Sequence, residues 1–177
     1  KLKMFRSHGI TKEKKFLKKK NYPKWYFEQH YLGYNYRMTD FQAALGFEQL
    51  KKLRYFVKKR RTIVKIYNKY LKSLPIQLPI ESKNVISSYH LYVILVNLPN
   101  KGRNKLYNHL LKNNIETNVH YIPIYRHPYY KKFNFKKTNF KNTEKYFGQC
   151  LSLPIHPSLS KKEIKKIIYY IKLFFIK

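Results

Sequence analysis

The sequence predicts an α/β chain of the α+β kind, in which helices cover a small sheet. Two stretches, beginning near Thr39 and Ser160, start with a capping box and continue with apolar residues at helical intervals. Between them, Tyr89–Leu98 is a β-prone apolar run typical of a buried strand. With 177 residues, 44% of them hydrophobic, the chain is long enough for one substantial core and short for two.

The first long helix is predicted to begin directly after Thr39. Thr39 can cap it, and Gln42, three positions later, completes a capping box. Asp40 lies in the first turn, where a negative charge complements the helix dipole. The helical pattern then runs for more than thirty residues, so we expect either a kink or a helix that bridges two lobes before Pro75. Its apolar positions are Phe41, Ala44, Leu45, Leu50, Leu53, Phe56, Val57, Ile63, Val64, Tyr67 and Leu71.

The last helix has the clearest local signals. Ser160 and Glu163 form its capping box, and isoleucine and phenylalanine then recur at i, i+3 and i+4 spacing up to Phe175. The elements predicted before it are a strand at Tyr89–Leu98, a helix at Arg103–Lys112 with Leu106, Leu110 and Leu111 on one face, a strand at Ile115–Ile122, an extended aromatic loop at Tyr129–Asn142, a helix at Thr143–Cys150 and an extended piece at Leu151–Pro157.

The formal net charge of +31 suggests a polyanion as partner. Lysine supplies most of that charge and only seven residues are arginine, although the guanidinium group is the better reader of phosphates and bases. Asparagine, tyrosine, isoleucine and phenylalanine are also frequent, and with lysine these are the residues with AT-rich codons. Codon bias therefore explains the charge better than nucleic-acid binding does, although a positive field would still steer an anionic substrate.

Residue counts argue against several kinds of catalytic site. Cys150 is the only cysteine, which excludes an internal disulfide and a Cys-rich metal site and favours a reducing, cytoplasmic setting. The seven histidines lack HExxH spacing, Asp40 is the sole aspartate, and no GxSxG, P-loop or GxGxxG motif occurs. No apolar run reaches the roughly 18 residues that span a bilayer. We expect no metal site, no hydrolase and no membrane contact.

Two short segments are candidate binding sites. The segment Gly33–Arg37 directly precedes the capped helix, where a backbone amide and a guanidinium suit a phosphate or a carboxylate. The segment Asn118–Pro123 gathers polar and aromatic side chains at the end of a predicted strand, a common place for ligand contacts. From these residues alone, the favoured interpretation of each segment is a turn whose polar groups are hydrogen-bonded.

An ordered series of motifs resembles the DegT/StrS sugar aminotransferases over nearly the whole chain. The matching segments, in order, are Phe5–Ile10, Trp25–Gln29, Leu32–Gly46, Ser87–Tyr92, Thr117–Pro123, Pro128–Tyr130, Leu151–Pro154 and Pro157–Leu159. The tryptophan and tyrosine run before Gly33 is most similar to the branch that makes pseudaminic acid. Enzymes of that branch transfer an amino group from glutamate to C4 of a UDP-linked 4-keto-6-deoxy-N-acetylhexosamine.

The resemblance implies a fold, a cofactor and a set of contacts. It implies the carboxy-terminal part of a type I aminotransferase, with residues 1–45 left from the large domain and residues 46–177 forming a small domain around a mainly antiparallel sheet. It implies pyridoxal 5'-phosphate and a homodimer with active sites at the subunit interface. Asn35 matches the asparagine that reaches the cofactor phosphate of the neighbouring subunit, and Arg37 would support an anion. The segment that contacts the sugar nucleotide is matched by His120, Tyr121, Ile122 and Pro123.

The lysine that holds the cofactor as a Schiff base has no counterpart among these residues. In the family it lies some tens of residues before the segment that matches Arg6–Gly9, so we expect it upstream of Lys1. We therefore expect residues 1–177 alone not to transaminate. The sequence leaves open whether this is a trimmed piece, a part of a split enzyme or an inactive gene remnant, and a basic nucleic-acid-binding module is the alternative from another class.

Overall fold

A computed structural model describes residues 1–98, 102–135 and 137–176. The chain forms two compact units, residues 1–52 and 53–177. The first contains a two-stranded sheet and the second a three-stranded sheet, and all the pairings between these strands are antiparallel. Within the described ranges, no helix is both long enough and apolar enough to cross a bilayer.

Two short strands and a short helix organise the first unit. Helix α1 (Leu2–Arg6) leads into strand β1 (Ile10–Thr11), which pairs antiparallel with strand β2 (Glu28–Gln29). The turn between α1 and β1 requires Gly9, whose φ is +72°. A Cβ at this position would lie 1.7 Å from the carbonyl oxygen of Tyr31, so only glycine fits between the two backbone segments.

The carboxylate of Glu28 holds the long connection between β1 and β2. It accepts hydrogen bonds from the backbone N–H of Lys18 at 2.8 Å, the backbone N–H of Lys19 at 2.9 Å and the hydroxyl of Tyr26 at 3.1 Å. The Nε2 atom of His30 lies 3.0 Å from a carboxylate oxygen. The two backbone amides are the main reason that the pKa of Glu28 is lowered. One acid thereby fixes a lysine-rich segment with little regular structure.

Helix α2 (Asp40–Lys51) begins as the sequence predicts. Thr39 Oγ1 accepts a hydrogen bond from the Gln42 N–H at 3.3 Å, and Gln42 Oε1 accepts one from the Thr39 N–H at 3.0 Å, which confirms the capping box. The expected interruption of the long helical pattern is confirmed and lies at Lys52, a turn residue between the end of α2 at Lys51 and the start of the next helix at Leu53. No side chain of α2 is buried. The apolar pattern in the sequence therefore combines two separate stripes, an exposed one on α2 and a core-facing one on the next helix.

The sheet of the second unit has the order β3-β4-β5. Strand β3 (Ile76–Gln77) and strand β5 (Cys150–Leu153) flank the central strand β4 (Tyr92–Val96), which lies within the predicted Tyr89–Leu98 run. Alternate residues of β4 are buried, as expected for a strand with one face on the core, whereas β5 is buried throughout. β5 therefore lies deep in the unit, and the side chains that it presents have fixed surroundings.

Three helices complete the core: α3 (Leu53–Leu71), α4 (Gly102–Lys112) and α6 (Lys161–Ile176). The capping box of α6 is confirmed, because Ser160 and Glu163 exchange hydrogen bonds of 2.7 and 3.2 Å. Leu111 is half exposed rather than on the buried face of α4, because the adjacent position points about 100° away around a helix. The buried residues of the three helices are Ile63, Val64, Tyr67, Leu71, Leu106, Leu110, Ile164, Ile167, Ile168 and Ile171. The predicted class, helices covering a small antiparallel sheet, is confirmed.

A bidentate ion pair ties α3 to the segment that precedes β4. The guanidinium of Arg61 donates to the two carboxylate oxygens of Glu81 at 2.6 and 3.0 Å and to the carbonyl oxygen of Ser87 at 2.9 Å. Glu81 also accepts from the Ser87 N–H at 2.6 Å. These contacts, those of Arg61 foremost, lower the pKa of Glu81 to about 2.

The predicted strand at Ile115–Ile122 is wrong. Its only pairing within the described residues is one bridge between Asn118 and Ser152, with N–H···O distances of 3.2 and 2.8 Å. The side-chain oxygen of Asn118 accepts from the N–H of Val119 at 2.7 Å, so the backbone donor of Val119 is bonded locally and not to a neighbouring strand. Pro123, directly after the predicted strand, has no N–H with which to continue a ladder.

The predicted extended loop at Tyr129–Asn142 is also wrong. Its described residues form 3₁₀ turns at Pro128–Phe133 and Lys137–Phe140, and helix α5 (Lys141–Gln149) begins two residues earlier than the predicted Thr143. Proline at the first position of a turn already has the φ that a 3₁₀ helix needs. The sequence prediction gave more weight to the aromatic composition of the segment than to this proline.

Candidate functional site

The Gly33–Arg37 segment of the first unit is held extended by backbone hydrogen bonds. Tyr34 N–H donates to Phe5 O at 2.7 Å, and Tyr36 N–H donates to Arg6 O at 2.9 Å. Tyr34 O in turn accepts from the His8 N–H at 2.9 Å. The rings of Tyr34 and Tyr36 stack with their centroids 4.9 Å apart. Asn35, the residue between these two tyrosines, is thereby held at a fixed place along the segment.

Asn35 and Arg37 together form a group of hydrogen-bond donors. Asn35 Oδ1 accepts from Arg37 Nε at 3.2 Å, which engages the acceptor of the amide and leaves the donors of its NH₂ group for other partners. Both side chains are exposed. The start of α2 is less suited to an anion than the sequence suggests, because Thr39 already occupies an N–H of its first turn and Asp40 adds a negative charge there. An anion at this place would bind to the two side chains.

His120 lies in the second unit against the buried strand β5. Its Nδ1 atom is 2.7 Å from the hydroxyl oxygen of Ser152, a residue that is only 5% exposed. The imidazole ring meets the ring of Tyr121 edge to face, with centroids 4.6 Å apart. His120 itself is half-buried, and within the described residues Nε2 has no hydrogen-bond partner. One nitrogen of the ring is therefore anchored and the other is available.

The residues after His120 differ in what they can offer to a ligand. Tyr121 is 73% exposed and Ile122 is 49% exposed, so both present apolar surface to solvent. Pro123 is buried, and its carbonyl oxygen accepts from the Arg126 N–H at 2.9 Å in a 3₁₀ turn. Tyr121 and Ile122 can therefore contact a ligand, whereas Pro123 fixes the course of the backbone next to them.

A cluster that sequence inspection missed lies just beyond this turn. The carboxylate of Glu144 accepts from the hydroxyl of Tyr125 at 2.8 Å and from Arg126 Nε at 3.0 Å. Tyr125 also stacks on Phe140 with centroids 4.6 Å apart. Burial, and then the hydrogen bond to Glu144, raise the pKa of Tyr125. The cluster clamps the Ile122–His127 region to α5, and no short-range pattern in the sequence indicates a pair 19 positions apart.

The donors at Asn35 and Arg37 fit a phosphate group, since an amide NH₂ and a guanidinium both donate to anionic oxygen. Among the residues that the structure describes, no three His, Cys, Asp or Glu side chains form a group that could bind a metal ion. The arrangement is suited to binding an anionic, oxygen-rich organic molecule.

The fold matches solved aminotransferases. Helicobacter pylori PseC, an aminotransferase involved in the biosynthesis of pseudoaminic acid, aligns with a TM-score of 0.83 and 30% identity over 99% of this chain and 45% of its own. Spr1654 of Streptococcus pneumoniae in its PMP form aligns with a TM-score of 0.86 and 29% identity over 98% of this chain and 44% of its own. A PLP form of the same protein also aligns. The class of protein is therefore the pyridoxal-phosphate aminotransferases.

Within that class, the chain belongs to the DegT/DnrJ/EryC1/StrS aminotransferase family, whose model matches residues 1–172. The UDP-4-amino-4,6-dideoxy-N-acetyl-beta-L-altrosamine transaminase of Campylobacter jejuni is 35% identical over 168 residues, which cover 93% of this chain and 42% of that enzyme. The chain thus spans less than half the length of the relatives that it matches. The family predicted from the motifs is confirmed.

Proposed function

We propose that residues 1–177 form the substrate-facing part of a pyridoxal-phosphate-dependent nucleotide-sugar aminotransferase. The reaction proposed for the whole enzyme is transfer of an amino group from glutamate to C4 of a UDP-linked 4-keto-6-deoxy-N-acetylhexosamine. The observation that carries the proposal is the family match over residues 1–172, within which lie both the Asn35 donor group and the anchored His120. The Campylobacter jejuni relative, named as a transaminase of a UDP-linked amino sugar, supports the choice of substrate.

The proposal includes a division of the whole enzyme. Residues 1–45 would belong to its large domain and residues 46–177 to its small domain, and the enzyme would be a cytoplasmic homodimer in which Asn35 reaches the cofactor of the neighbouring subunit. The lysine that holds the cofactor would be supplied by sequence outside these 177 residues. In support, the chain covers only 42% of the Campylobacter jejuni relative and 45% of Helicobacter pylori PseC.

Asn35 and Arg37 would hold the cofactor through its phosphate. The Asn35 amide donates from Nδ2, because Arg37 occupies its Oδ1, and the guanidinium adds a positive charge beside the phosphate. The stacked tyrosines on either side restrict the backbone that carries this amide. Pyridoxal phosphate, when bound, supplies the electron sink through which an amino group is exchanged.

The second unit would bind the sugar nucleotide. His120 presents its free Nε2, and the exposed side chains of Tyr121 and Ile122 offer apolar surface to a sugar or a base. The buried Pro123 sets the direction of this segment, and the formal charge of +31 raises the local concentration of an anionic UDP-sugar through long-range attraction.

A titration tests the binding part of this proposal. UDP-N-acetylglucosamine, a stable stand-in for the keto-sugar, is added to ¹⁵N-labelled residues 1–177 at 150 mM salt. We expect the signals of His120 and Tyr121 to shift, and His120→Ala to weaken binding, whereas the matched variant His156→Ala, at an exposed histidine, should bind as the parent does. Equal weakening by both variants, or shifts confined to lysines, would reject a sugar-nucleotide site.

A turnover assay tests the division of labour. Residues 1–177 alone, supplied with the keto-sugar, glutamate and pyridoxal phosphate, should form no amino-sugar, because the proposal places the cofactor lysine elsewhere in the enzyme. The release of 2-oxoglutarate is the measurement. Product formation by a pure sample would show that the chain carries its own reactive amine. The full-length enzyme, once expressed, should turn over and lose activity on Asn35→Ala.

A further inference from the structure

The surroundings of Ser152 limit what its hydroxyl group can do. Both backbone groups of this residue are bonded to Asn118, because its N–H donates to Asn118 O at 2.8 Å and its carbonyl accepts from the Asn118 N–H at 3.2 Å. The neighbours on β5 are buried, and so is Ser152. Its hydroxyl therefore cannot turn outward to water without leaving the strand.

The hydroxyl proton of Ser152 has one acceptor among the described residues. That acceptor is Nδ1 of His120, at 2.7 Å from Oγ. If Nδ1 carried a proton, it would donate to the hydroxyl oxygen, and the hydroxyl proton of Ser152 would have no acceptor. A buried donor without an acceptor is costly in free energy. The lower-energy arrangement is donation from Ser152 to an unprotonated Nδ1.

We propose that Ser152 is a positioning residue that holds neutral His120 in the tautomer with its proton on Nε2. His120 then offers an N–H donor to its ligand, and the group that it recognises is an oxygen acceptor, such as a carbonyl, a hydroxyl or a phosphate oxygen of the nucleotide sugar. This step rests on the proposed function only in naming the ligand. The tautomer follows from the contact between residues 32 positions apart.

The chain contains a natural control for this contact. Ser158 Oγ lies 2.8 Å from Nδ1 of His156, which is nearly the same geometry, but both residues are exposed. Water can replace the Ser158 hydroxyl, whereas no solvent reaches the buried Ser152 as readily. Removing the serine hydroxyl should therefore change the tautomer and the Nδ1 hydrogen bond of His120 much more than those of His156.

The test is a long-range ¹H–¹⁵N correlation spectrum of histidine-labelled residues 1–177 at pH 8, without ligand. We expect Nδ1 of His120 to resonate as an unprotonated, hydrogen-bonded nitrogen and Nε2 as a protonated one. Ser152→Ala should move the Nδ1 signal towards that of a free imidazole, while Ser158→Ala leaves His156 nearly unchanged. A protonated Nδ1 in the parent chain would overturn the proposal without any variant, so the result does not depend on Ser152→Ala folding.

Adding UDP separates this proposal from the proposed function. If His120 donates through Nε2, the Nε2 signal should shift on titration, and Ser152→Ala should weaken UDP binding by about 3- to 10-fold, the range of one neutral hydrogen bond. A parent chain with the expected tautomer but no shift at His120 would reject the nucleotide site and leave the role of Ser152 standing. Unchanged affinity in a folded Ser152→Ala would reject the role of Ser152 in binding.

Discussion

Replacing Tyr67 with phenylalanine removes one oxygen atom from the centre of the second unit. The hydroxyl of this fully buried side chain donates to the carbonyl oxygen of Pro154 at 2.8 Å and so joins α3 to the segment after β5. One such bond contributes about 0.5–1.5 kcal/mol net. Because phenylalanine keeps the ring and creates no sizeable cavity, we expect Tyr67→Phe to lower the free energy of unfolding by about 0.5–1.5 kcal/mol.

Tyr70→Phe is the matched control for this change. Tyr70 lies on the same helix, is 44% exposed, and its hydroxyl has no hydrogen bond among the described residues. Its replacement should change stability by less than about 0.5 kcal/mol. Urea unfolding followed by circular dichroism measures both variants. If the two midpoints agree within error, the bond to Pro154 contributes nothing measurable and the reasoning fails.

Three further predictions concern charge, backbone and packing. The Arg61 guanidinium holds the pKa of Glu81 at about 2 instead of the ordinary 4.5, so this pair stabilises the fold above pH 4.5 and loses its effect as the pH falls towards 2. Glu81→Gln should abolish that part of acid unfolding in a pH titration, and an unchanged acid profile would contradict the assignment. Gly9→Ala should destabilise the first unit by more than about 1 kcal/mol, because of its positive φ and the clash with Tyr31; unaltered hydrogen exchange there would refute this. Leu110→Ala should cost about 2–5 kcal/mol in thermal or urea unfolding, and a loss below 1 kcal/mol would show a looser core.

Helix starts were predictable because their causes lie within four residues of each other. The Thr39–Gln42 and Ser160–Glu163 boxes form in the structure as the sequence indicates. The absence of a strand at Ile115–Ile122 was not predictable in the same way. The apolar composition of the segment does not reveal that the side chain of Asn118 accepts a hydrogen bond from the N–H of Val119. The length of the helical pattern predicted a kink or a bridge between lobes, but the position of the break at Lys52 was not predictable, since the periodicity of a helix does not say which surface its apolar stripe meets.

The sequence alone determined the family and the α+β class and indicated two segments as candidate binding sites, because ordered motifs and capping signals are properties of neighbouring residues. Only the tertiary structure decided what these residues can do. It placed Arg37 on the acceptor of Asn35, and it brought the hydroxyl of Ser152 to Nδ1 of His120 across 32 positions of chain. The state of a side chain depends on the groups packed around it, and burial on β5 arises only when the sheet and its helices assemble.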